Sequence, residues 1–205
     1  ILGYREFYGL QFYVNPDVLI PRQETEILVD SAIELVSNDR QIRLVDVGTG
    51  SGAIAIALSK HLPNACAYAI DISCKALRVA DINRRKHGME DRVHLFRGDI
   101  LSPIENLADV IVSNPPYLST REINGVAVEI ANEPRCAISG GLDGLKIIRR
   151  LFGQAPFMLR KGGRMLVEIS PQQVSQGLCL ARSAFPTASV RCVTDLQQMP
   201  RVIII

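Results

Sequence analysis

The stretch "VDVGTGSGAIAIA", residues 45–57, joins an apolar strand-like run to a helix-like run through a glycine loop. Three glycines, the first Gly48 and the last Gly52, stand at the turn, where the missing Cβ permits tight backbone angles and close approach of a ligand. Asp71 ends the next predicted strand, 19 residues after Gly52, where an acid can bind both ribose hydroxyls of a nucleoside. The sequence therefore predicts a nucleoside cofactor. It leaves open which one, because with Ala53 the loop also reads G-x-G-x-x-A, as in dinucleotide-binding enzymes.

Strand-like and helix-like segments alternate from residue 43 to the end of the chain. The predicted strands are 43–48, 66–71, 92–99, 108–114, 162–170, 188–195 and 201–205, and the predicted helices are 51–62, 73–88, 142–159 and 172–185. Near-continuous apolar strands separated by helices predict an α/β fold with a mainly parallel, seven-stranded sheet covered on both faces. The last two strands are linked only by "LQQMP" and must pair antiparallel, since a parallel link needs a longer crossover.

Three segments lie outside this alternation. "EFYGLQFYV", residues 6–14, predicts a β-hairpin around Gly9. Apolar residues then recur at helical spacing from Glu24 to Val36, with acidic residues in the first turn. Residues 118–141 are predicted to be mostly irregular, and a loop of that length in a compact domain is usually functional.

The bulk composition indicates one globular domain. The 205 residues are 47% hydrophobic and 21% charged, and the net charge of +2 does not point to a nucleic-acid partner. There is no signal peptide and no apolar run long enough to cross a membrane. We expect no membrane association and a cytoplasmic location.

The cysteines and histidines give no sign of a metal site or of a disulfide framework. The five cysteines are odd in number, and no two form a CxxC pair, which fits a reducing compartment. Each is predicted to be a small core residue rather than a nucleophile. The cysteines are Cys66, Cys74, Cys136, Cys179 and Cys192.

The stretch "VIVSNPPYLS", residues 110–119, predicts a site for a planar amino group. Asn114 ends a predicted strand at the sheet edge where open α/β sheets bind ligands. Its side-chain oxygen and the Pro115 carbonyl are two acceptors that can grip an –NH2 group, while Tyr117 supplies an aromatic wall. Such a grip strengthens as the nitrogen becomes positive during alkylation, so the electrophile should be the methyl sulfonium of S-adenosylmethionine.

Asp99 follows the third strand of the predicted sheet, in "FRGDIL". A carboxylate there, beside Ile100, suits the amino edge and the apolar face of an adenine. An aspartate that caps a helix or stabilises a turn is an equal alternative for Asp99.

At these residues the chain resembles a class I, Rossmann-like methyltransferase. The segments "VLIPRQETEILVD", "SNPPY", "EPRCAISGGLDGL" and "DLQQMPRVI" also follow the order seen in the HemK/PrmC family, the glutamine N5-methyltransferases of peptide chain release factors. The resemblance implies methylation of the glutamine amide in the GGQ motif of release factors, which would be the protein partners. It divides the chain into a hairpin and linker, 1–20, and a methyltransferase domain, 21–205. It also implies that the family's N-terminal helical domain is missing, in line with a start at Ile1 rather than Met, and we expect a monomer.

The resemblance implies a role for each matching residue. Asn114, Pro115 and Tyr117 would be catalytic, and the same three residues together with Pro116 would bind the substrate glutamine. The cofactor would be held by Gly48, Thr49, Gly50, Ser51, Gly52, Asp71, Asp99, Ile100 and Asn114.

The sequence departs from the family pattern at three positions. Gln23 stands where proline is usual, Ile100 where many members have an aromatic residue, and Ser170 where glycine is common. Arg22, Thr25 and Glu26 have no derivable chemical role. We expect them to cap the first helix and to border the pocket.

Three other functions remain open at this point. A methyltransferase acting on adenine or guanine amino groups of DNA or RNA would face the same –NH2 chemistry, although it usually carries a basic surface or an added domain. An NAD-dependent oxidoreductase fits the glycine spacing but leaves "NPPY" unexplained. A non-catalytic binding module is the third alternative.

Overall fold

The computed structural model describes residues 3–36, 40–105, 107–123 and 133–205. Two short strands, β1 (Tyr4–Phe7) and β2 (Leu10–Tyr13), form an antiparallel hairpin. The main sheet contains β3 (Ile42–Val47), β4 (Ala65–Asp71), β5 (Val93–Arg97), β6 (Ala108–Ser113), β7 (Leu159–Glu168), β8 (Arg191–Thr194) and β9 (Pro200–Ile204). The helices are α1 (Glu26–Leu35), α2 (Ala53–His61), α3 (Cys74–Lys86), α4 (Thr120–Ile123), α5 (Arg135–Ile138), α6 (Lys146–Met158) and α7 (Val174–Ala184). Short 3-10 turns at Gln23–Thr25 and Pro171–Gln173 precede α1 and α7.

The sheet order is β5-β4-β3-β6-β7-β9-β8. Strands β3 to β7 run parallel, whereas β9 pairs antiparallel with both β7 and β8. The predicted mainly parallel, seven-stranded sheet with an antiparallel C-terminal pair and a preceding hairpin is therefore confirmed.

The chain reverses its direction of travel across the sheet between β3 and β6. It moves outward from β3 through β4 to β5 and then returns to place β6 on the other side of β3. In open α/β sheets such a switch point marks the ligand crevice, at the carboxyl ends of the strands. Val47 pairs with Ser113 in this register, so the two residues that follow, Gly48 and Asn114, emerge side by side.

Neighbouring residues along each central strand enter different apolar clusters. Leu44, Val110 and Leu166 belong to one cluster, and the residues that follow them, Val45, Ile111 and Val167, belong to the other. Side chains alternate between the two faces of a strand, so the sheet is covered on both faces. Phe7 and Phe12 of the hairpin are fully buried in the first cluster.

Asn83 of α3 ties the hairpin to the glycine loop. Its Oδ1 accepts from the Tyr13 amide at 2.7 Å, and its Nδ2 donates to the carbonyls of Tyr13 at 2.9 Å and Ser51 at 2.8 Å. The side chain is fully buried. A buried amide with its groups paired in this way fixes the loop relative to the hairpin.

Some predictions from the sequence were displaced or wrong. Strand β7 begins at Leu159 rather than at 162, and α6 begins at Lys146 rather than at 142. The two short helices α4 and α5 lie in the segment predicted as irregular, of which residues 124–132 fall outside the described part of the chain. Within the described ranges, no helix is both long and apolar enough to cross a membrane.

The prediction that the cysteines are core residues was wrong. Cys74, Cys136 and Cys179 are exposed, and Cys66 and Cys192 are half-buried. The sequence pattern did not show that these small side chains fall on the outward-facing positions of their helices and strands.

Candidate active site

A cavity of about 300 Å³ opens at the carboxyl ends of β3, β4 and β6. The predicted site residues on its wall are Gly48, Gly50, Asp71, Asp99, Ile100, Asn114, Pro115 and Pro116. Residues that the sequence did not single out complete the wall, among them Asp17 and Leu19 from the segment after the hairpin, Ser73, and Arg150 of α6. The switch point of the sheet thus brings most of the predicted set together.

The glycine loop leaves free space where side chains would stand. Gly48 has φ of 74° and Gly50 of 56°, and a Cβ added at either position would meet no atom within 4 Å. A Cβ at Gly52 would instead lie 3.2 Å from Cδ1 of Ile56 and 3.3 Å from Cβ of Ala80. The first two glycines therefore keep the cavity wall open for a ligand, and Gly52 permits close packing of α2 on α3.

Thr49 and Ser51 do not line the cavity but support the loop from behind. The buried Thr49 hydroxyl donates to Oδ2 of Asp46 at 2.6 Å, and the Ser51 carbonyl is held by Asn83. Burial raises the pKa of Asp46 to about 7, although hydrogen bonds from Thr49 and from the Ala55 amide work in the opposite direction. The role of Thr49 and Ser51 as cofactor ligands stays a prediction.

Asp71 links the acid at the end of β4 to the glycine loop. Its Oδ2 accepts from the Gly50 amide at 2.9 Å and its Oδ1 from the Ser73 amide at 2.8 Å. Burial raises the pKa of this carboxyl, while the backbone hydrogen bonds partly oppose the increase. A carboxylate oxygen can accept more than one hydrogen bond, so Asp71 retains acceptor sites for a ligand in the cavity.

Asp99 is paired with a cation rather than used in a turn. Arg150 donates from Nη2 at 2.6 Å and from Nη1 at 3.2 Å to its two carboxylate oxygens. The local turn is closed by the Asp99 amide, which donates to Oγ of Ser102 at 3.1 Å. The Asp99 side chain therefore pairs with Arg150 and does not cap a helix or stabilise the turn.

Ile100 has an unusual backbone conformation for its residue type. It lies on the cavity wall, is only 6% exposed, and has φ of 57°. This left-handed region is disfavoured for a β-branched residue. Strain of this kind persists where the surroundings determine the backbone, often at ligand sites.

The segment Asn114–Pro116 separates the first cavity from a second one of about 90 Å³, and its residues line both. Nδ2 of Asn114 donates to Oγ1 of Thr25 at 3.0 Å. Among the described residues, none donates to Oδ1 of Asn114 or to the carbonyl of Pro115. The two acceptors that the sequence predicted therefore receive no hydrogen bond within the described part of the chain, and their residues line both cavities.

Tyr117 lines the second cavity and not the first. Its hydroxyl donates to Oε1 of Glu168 at 3.4 Å, and its carbonyl accepts from Nε2 of Gln173 at 2.8 Å. Burial, followed by the nearby charge of Glu168, raises the pKa of the phenol. The ring is therefore a neutral, fixed wall.

Glu168 is a buried acid directly behind this wall. Burial, the largest effect, and the charge of Glu24 raise its pKa, whereas the nearby Thr25 hydroxyl and the charge of Arg201 lower it, and the resulting pKa is about 7. Its Oε2 atom is buried and has no hydrogen-bond partner in the described part of the chain. Sequence reasoning missed Glu168 because a strand-end acid carries no motif of its own.

Arg22 lies on the wall of the second cavity, as the sequence predicted, and it pairs there with Glu133, a contact that the sequence did not predict. Nη2 of Arg22 lies 2.8 Å from each carboxylate oxygen, and the Ile20 amide donates to Oε1 of Glu133 at 3.1 Å. Both residues belong to motifs quoted above, "IPRQETE" and "EPR", and that was the available signal.

The prediction that Arg22, Thr25 and Glu26 cap the first helix was wrong. Thr25 stands at the N-cap position of α1, but its side chain makes no capping hydrogen bond, and neither does that of Arg22 before the 3-10 turn. Thr25 instead accepts from Asn114, and Glu26 accepts from the Tyr8 amide at 2.8 Å. The side chains of Thr25 and Glu26 therefore make tertiary contacts and do not cap the N-terminus of α1.

The sequence matches a known family model over most of this site. Residues 24–141 match the "Methyltransferase small domain" model. That range includes the glycine loop, Asp71, Asp99 and the Asn-Pro-Pro-Tyr segment, and it is more than half of the chain.

Two relatives of this chain share one name, release factor glutamine methyltransferase. The chain is 44% identical to a release factor glutamine methyltransferase of Moorella thermoacetica over 184 residues, which are 89% of this chain and 65% of that protein. It is 38% identical to a release factor glutamine methyltransferase of Gloeobacter violaceus over 206 residues, which are 100% of this chain and 72% of that protein.

A solved structure agrees with these relatives. The release-factor-specific protein-(glutamine-N5) methyltransferase of Alicyclobacillus acidocaldarius is 30% identical, with a TM-score of 0.58, over 94% of this chain and 97% of that one. The sheet order and the two cavities are consistent with these likenesses. On the identity and coverage of its relatives, the chain belongs to the release factor glutamine methyltransferase family.

Proposed function

We propose that this chain binds S-adenosylmethionine in the larger cavity and transfers its methyl group to N5 of a glutamine side chain presented in the smaller one. The substrate is the glutamine of the GGQ motif in peptide chain release factors, the class of protein named in its relatives. The observation that carries the proposal is that Asn114 and Pro115 line both cavities, while no residue in the described part of the chain donates to Oδ1 of Asn114 or to the Pro115 carbonyl.

The wall of the larger cavity suits the proposed cofactor. Gly48 and Gly50 leave space beside the loop, Asp71 offers acceptors for ribose hydroxyls, and Asp99 with Ile100 offers an acceptor and an apolar face for adenine. S-adenosylmethionine supplies a methyl group on a positively charged sulfur. Thr49, Ser51 and Gly52 contribute by holding the loop in its open shape.

Asn114 and Pro115 activate the substrate nitrogen by orienting it. An amide nitrogen is a poor nucleophile because its lone pair is delocalised into the carbonyl. Two acceptors that hold its hydrogens turn the lone pair toward the electrophile, and well-oriented reactants can gain about 7–11 kcal/mol. The two hydrogen bonds strengthen as the nitrogen becomes positive, which is binding specific to the transition state.

No strong base is needed in this site. Once the new N–C bond forms, the nitrogen carries a positive charge and its proton is acidic. The proton leaves to water while Asn114 and Pro115 still hold the nitrogen. Tyr117 acts as a neutral wall beside the amide, and Pro116 keeps the loop stiff.

The nucleic-acid alternative has no observation in its favour. The net charge is only +2, and the likenesses that reach 30% identity or more name a protein substrate. With release factors as substrates, we place the reaction in the cytoplasm and expect the chain to act as a monomer without nucleic acid.

The test is mass spectrometry of a GGQ-containing release factor after incubation with the chain and S-adenosylmethionine. We expect one added methyl group, located on the glutamine side chain. A matched release factor with glutamine replaced by asparagine should remain unmodified. Methylation that disappears after nuclease treatment of a crude substrate pool, with none on the release factor, would overturn the proposal.

A further inference from the structure

Two side chains of α6 hold the segment that carries Asp99 and Ile100. Arg150 donates from Nη2 at 2.6 Å and from Nη1 at 3.2 Å to the two carboxylate oxygens of Asp99. Oε1 of Gln154 accepts from the amide of Leu101 at 3.1 Å. Arg150 and Gln154 are four positions apart in the helix, so they share one face of it. A single helix face thus holds the chain on both sides of Ile100.

The backbone of this segment has a conformation that needs support. Ile100 has φ of 57°, a left-handed conformation that is unfavourable for a β-branched residue. Ile100 is 6% exposed and Leu101 is 1% exposed, so water is a poor substitute for the hydrogen bond that Gln154 accepts. Removal of this acceptor would take the partner from that amide and release the strained residue. Gln154 therefore helps to keep Ile100 on the cavity wall.

The ion pair with Arg150 orients the Asp99 side chain more than it stabilises the fold. The side chains of Arg150 and Asp99 are 42% and 46% exposed, and ion pairs with such exposure add little to the free energy of unfolding. Two hydrogen bonds from one planar guanidinium nevertheless fix the plane of the carboxylate. Each carboxylate oxygen can accept two hydrogen bonds, so each retains an acceptor site after pairing with Arg150. Both residues lie on the wall of the larger cavity.

A carboxylate in a fixed orientation distinguishes purines by the group at their sixth position. Adenine carries an amino group there, which donates hydrogen bonds, whereas hypoxanthine carries a carbonyl, which accepts them. An ionised carboxylate has acceptors alone, so it binds the amino group and repels the carbonyl. A carboxylate that is free to rotate away from the purine loses this preference.

We propose that Arg150 is a positioning residue that determines cofactor specificity, because it holds the Asp99 carboxylate toward the sixth position of the purine. Gln154 holds the Ile100 segment beside it. The inference rests on the proposed function, since it concerns how the larger cavity recognises S-adenosylmethionine. Arg150 acts through Asp99 and not through a bond of its own to the cofactor. Its removal therefore reduces the preference for adenine, whereas loss of the Gln154 acceptor weakens the binding of both purines alike.

The experiment measures the Kd of the full chain for two ligands by calorimetry. One is S-adenosylhomocysteine, the cofactor without its methyl group, and the other is S-inosylhomocysteine, which has a carbonyl in place of the 6-amino group. The unaltered chain should prefer the adenosyl ligand about tenfold or more. In Arg150→Met, the adenosyl Kd should rise about three- to tenfold and the preference should fall by a similar factor. In Gln154→Met, both Kd values should rise together and the preference should be kept.

Arg149 provides a matched control one residue away on the same helix. It pairs with Asp143, and each of these two side chains is 45% exposed, which is close to the exposure of the pair between Arg150 and Asp99. Arg149→Met should leave both Kd values within about twofold of those of the unaltered chain. Equal urea midpoints for Arg149→Met and Arg150→Met would show that the lost preference is not a loss of folded protein.

A double-variant cycle separates positioning from direct contact with the ligand. In an Asp99→Ala chain, Arg150→Met should change neither Kd by more than about twofold, because Arg150 then has no carboxylate to hold. If Arg150→Met instead weakens adenosyl binding as much in the Asp99→Ala chain as in the unaltered chain, Arg150 contacts the ligand directly. That result would overturn the positioning inference.

Failure of the inference and failure of the proposed function give different results. If the unaltered chain binds neither ligand, the larger cavity is not the cofactor site, and both fail. Binding of S-adenosylhomocysteine without methylation of a release factor would overturn the proposed substrate alone. If the unaltered chain binds both ligands equally well, or if Arg150→Met keeps the preference within about twofold, the inference alone is overturned. Unchanged Kd values in Gln154→Met would overturn the role assigned to Gln154.

Discussion

Arg22 joins Glu133 across the wall of the smaller cavity, with Nη2 lying 2.8 Å from each oxygen of the carboxylate. The Glu133 side chain is 4% exposed and that of Arg22 is 36% exposed. The pair connects the segment before α1 to the segment before α5, which are more than 100 residues apart in sequence. It thereby fixes the width of the cavity proposed to receive the substrate glutamine.

Replacing Glu133 should weaken both the fold and substrate binding. Glu133→Gln removes the charge that pairs with Arg22, and because that arginine is partly exposed we expect a loss of about 1–3 kcal/mol in the free energy of unfolding. KM for the release factor should rise while cofactor affinity holds. Urea unfolding and steady-state kinetics measure the two effects. The matched control is Arg85→Gln, which breaks the solvent-exposed pair with Asp81 on α3 and should cost less than about 1 kcal/mol.

Removing the side-chain acceptor should stop the reaction and leave the cofactor in place. In Asn114→Ala, the substrate amide loses one of its two acceptors, and by analogy with the removal of one oxyanion-hole donor kcat should fall about 100-fold or more. Calorimetry with S-adenosylmethionine should give nearly the affinity of the unaltered chain. An equal loss of both would mean that Asn114 is mainly a cofactor ligand or a structural residue.

The parts of the site that the sequence predicted are local in the chain. The glycine loop, Asp71 and Asn-Pro-Pro-Tyr each combine an unusual residue type with a strand end, and the α/β pattern places those ends at one edge. Their shared cavity follows from the pairing of Val47 with Ser113.

The long-range contacts of Thr25 and Glu168 could not be predicted in the same way. Thr25 meets Asn114 from 89 positions away, and Glu168 meets Tyr117 from 51 positions away. The second contact depends on the register of β7, in which Val167 pairs with Ser113. No local sequence pattern encodes that register. The hydrogen bond from Gln173 to the Tyr117 carbonyl likewise joins residues far apart in the chain and could not be predicted.

An aromatic residue at position 100 should bind the cofactor more tightly than isoleucine does. Ile100 lies on the cavity wall with φ of 57°, which is costly for a β-branched side chain. Ile100→Phe removes the branch and adds a ring that can stack on adenine, for a gain of about 0.5–1.5 kcal/mol, or about 2–10-fold in Kd. Ile100→Leu removes the branch without adding a ring and is the control. If leucine and phenylalanine gave the same Kd for S-adenosylmethionine, stacking would not be the cause.

The buried acid under the glycine loop should make the fold less stable as the pH rises. Burial raises the pKa of Asp46 from 3.8 to about 7, so the folded chain holds a proton that the unfolded chain has already lost. The free energy of unfolding should therefore fall between about pH 4 and pH 7, by at most about 4 kcal/mol from this group.

Asp46→Asn isolates this contribution. The amide keeps an acceptor for the Thr49 hydroxyl but does not titrate, so the difference between the two proteins should grow in favour of the variant as the pH rises toward 7. Urea unfolding at a series of pH values from about 5 to 8 measures it. The pKa of Glu168 is also raised. Because Glu168 is present in both proteins, its contribution to the free energy of unfolding cancels in the comparison. A pH-independent difference would mean that Asp46 is already ionised in the folded chain below neutral pH.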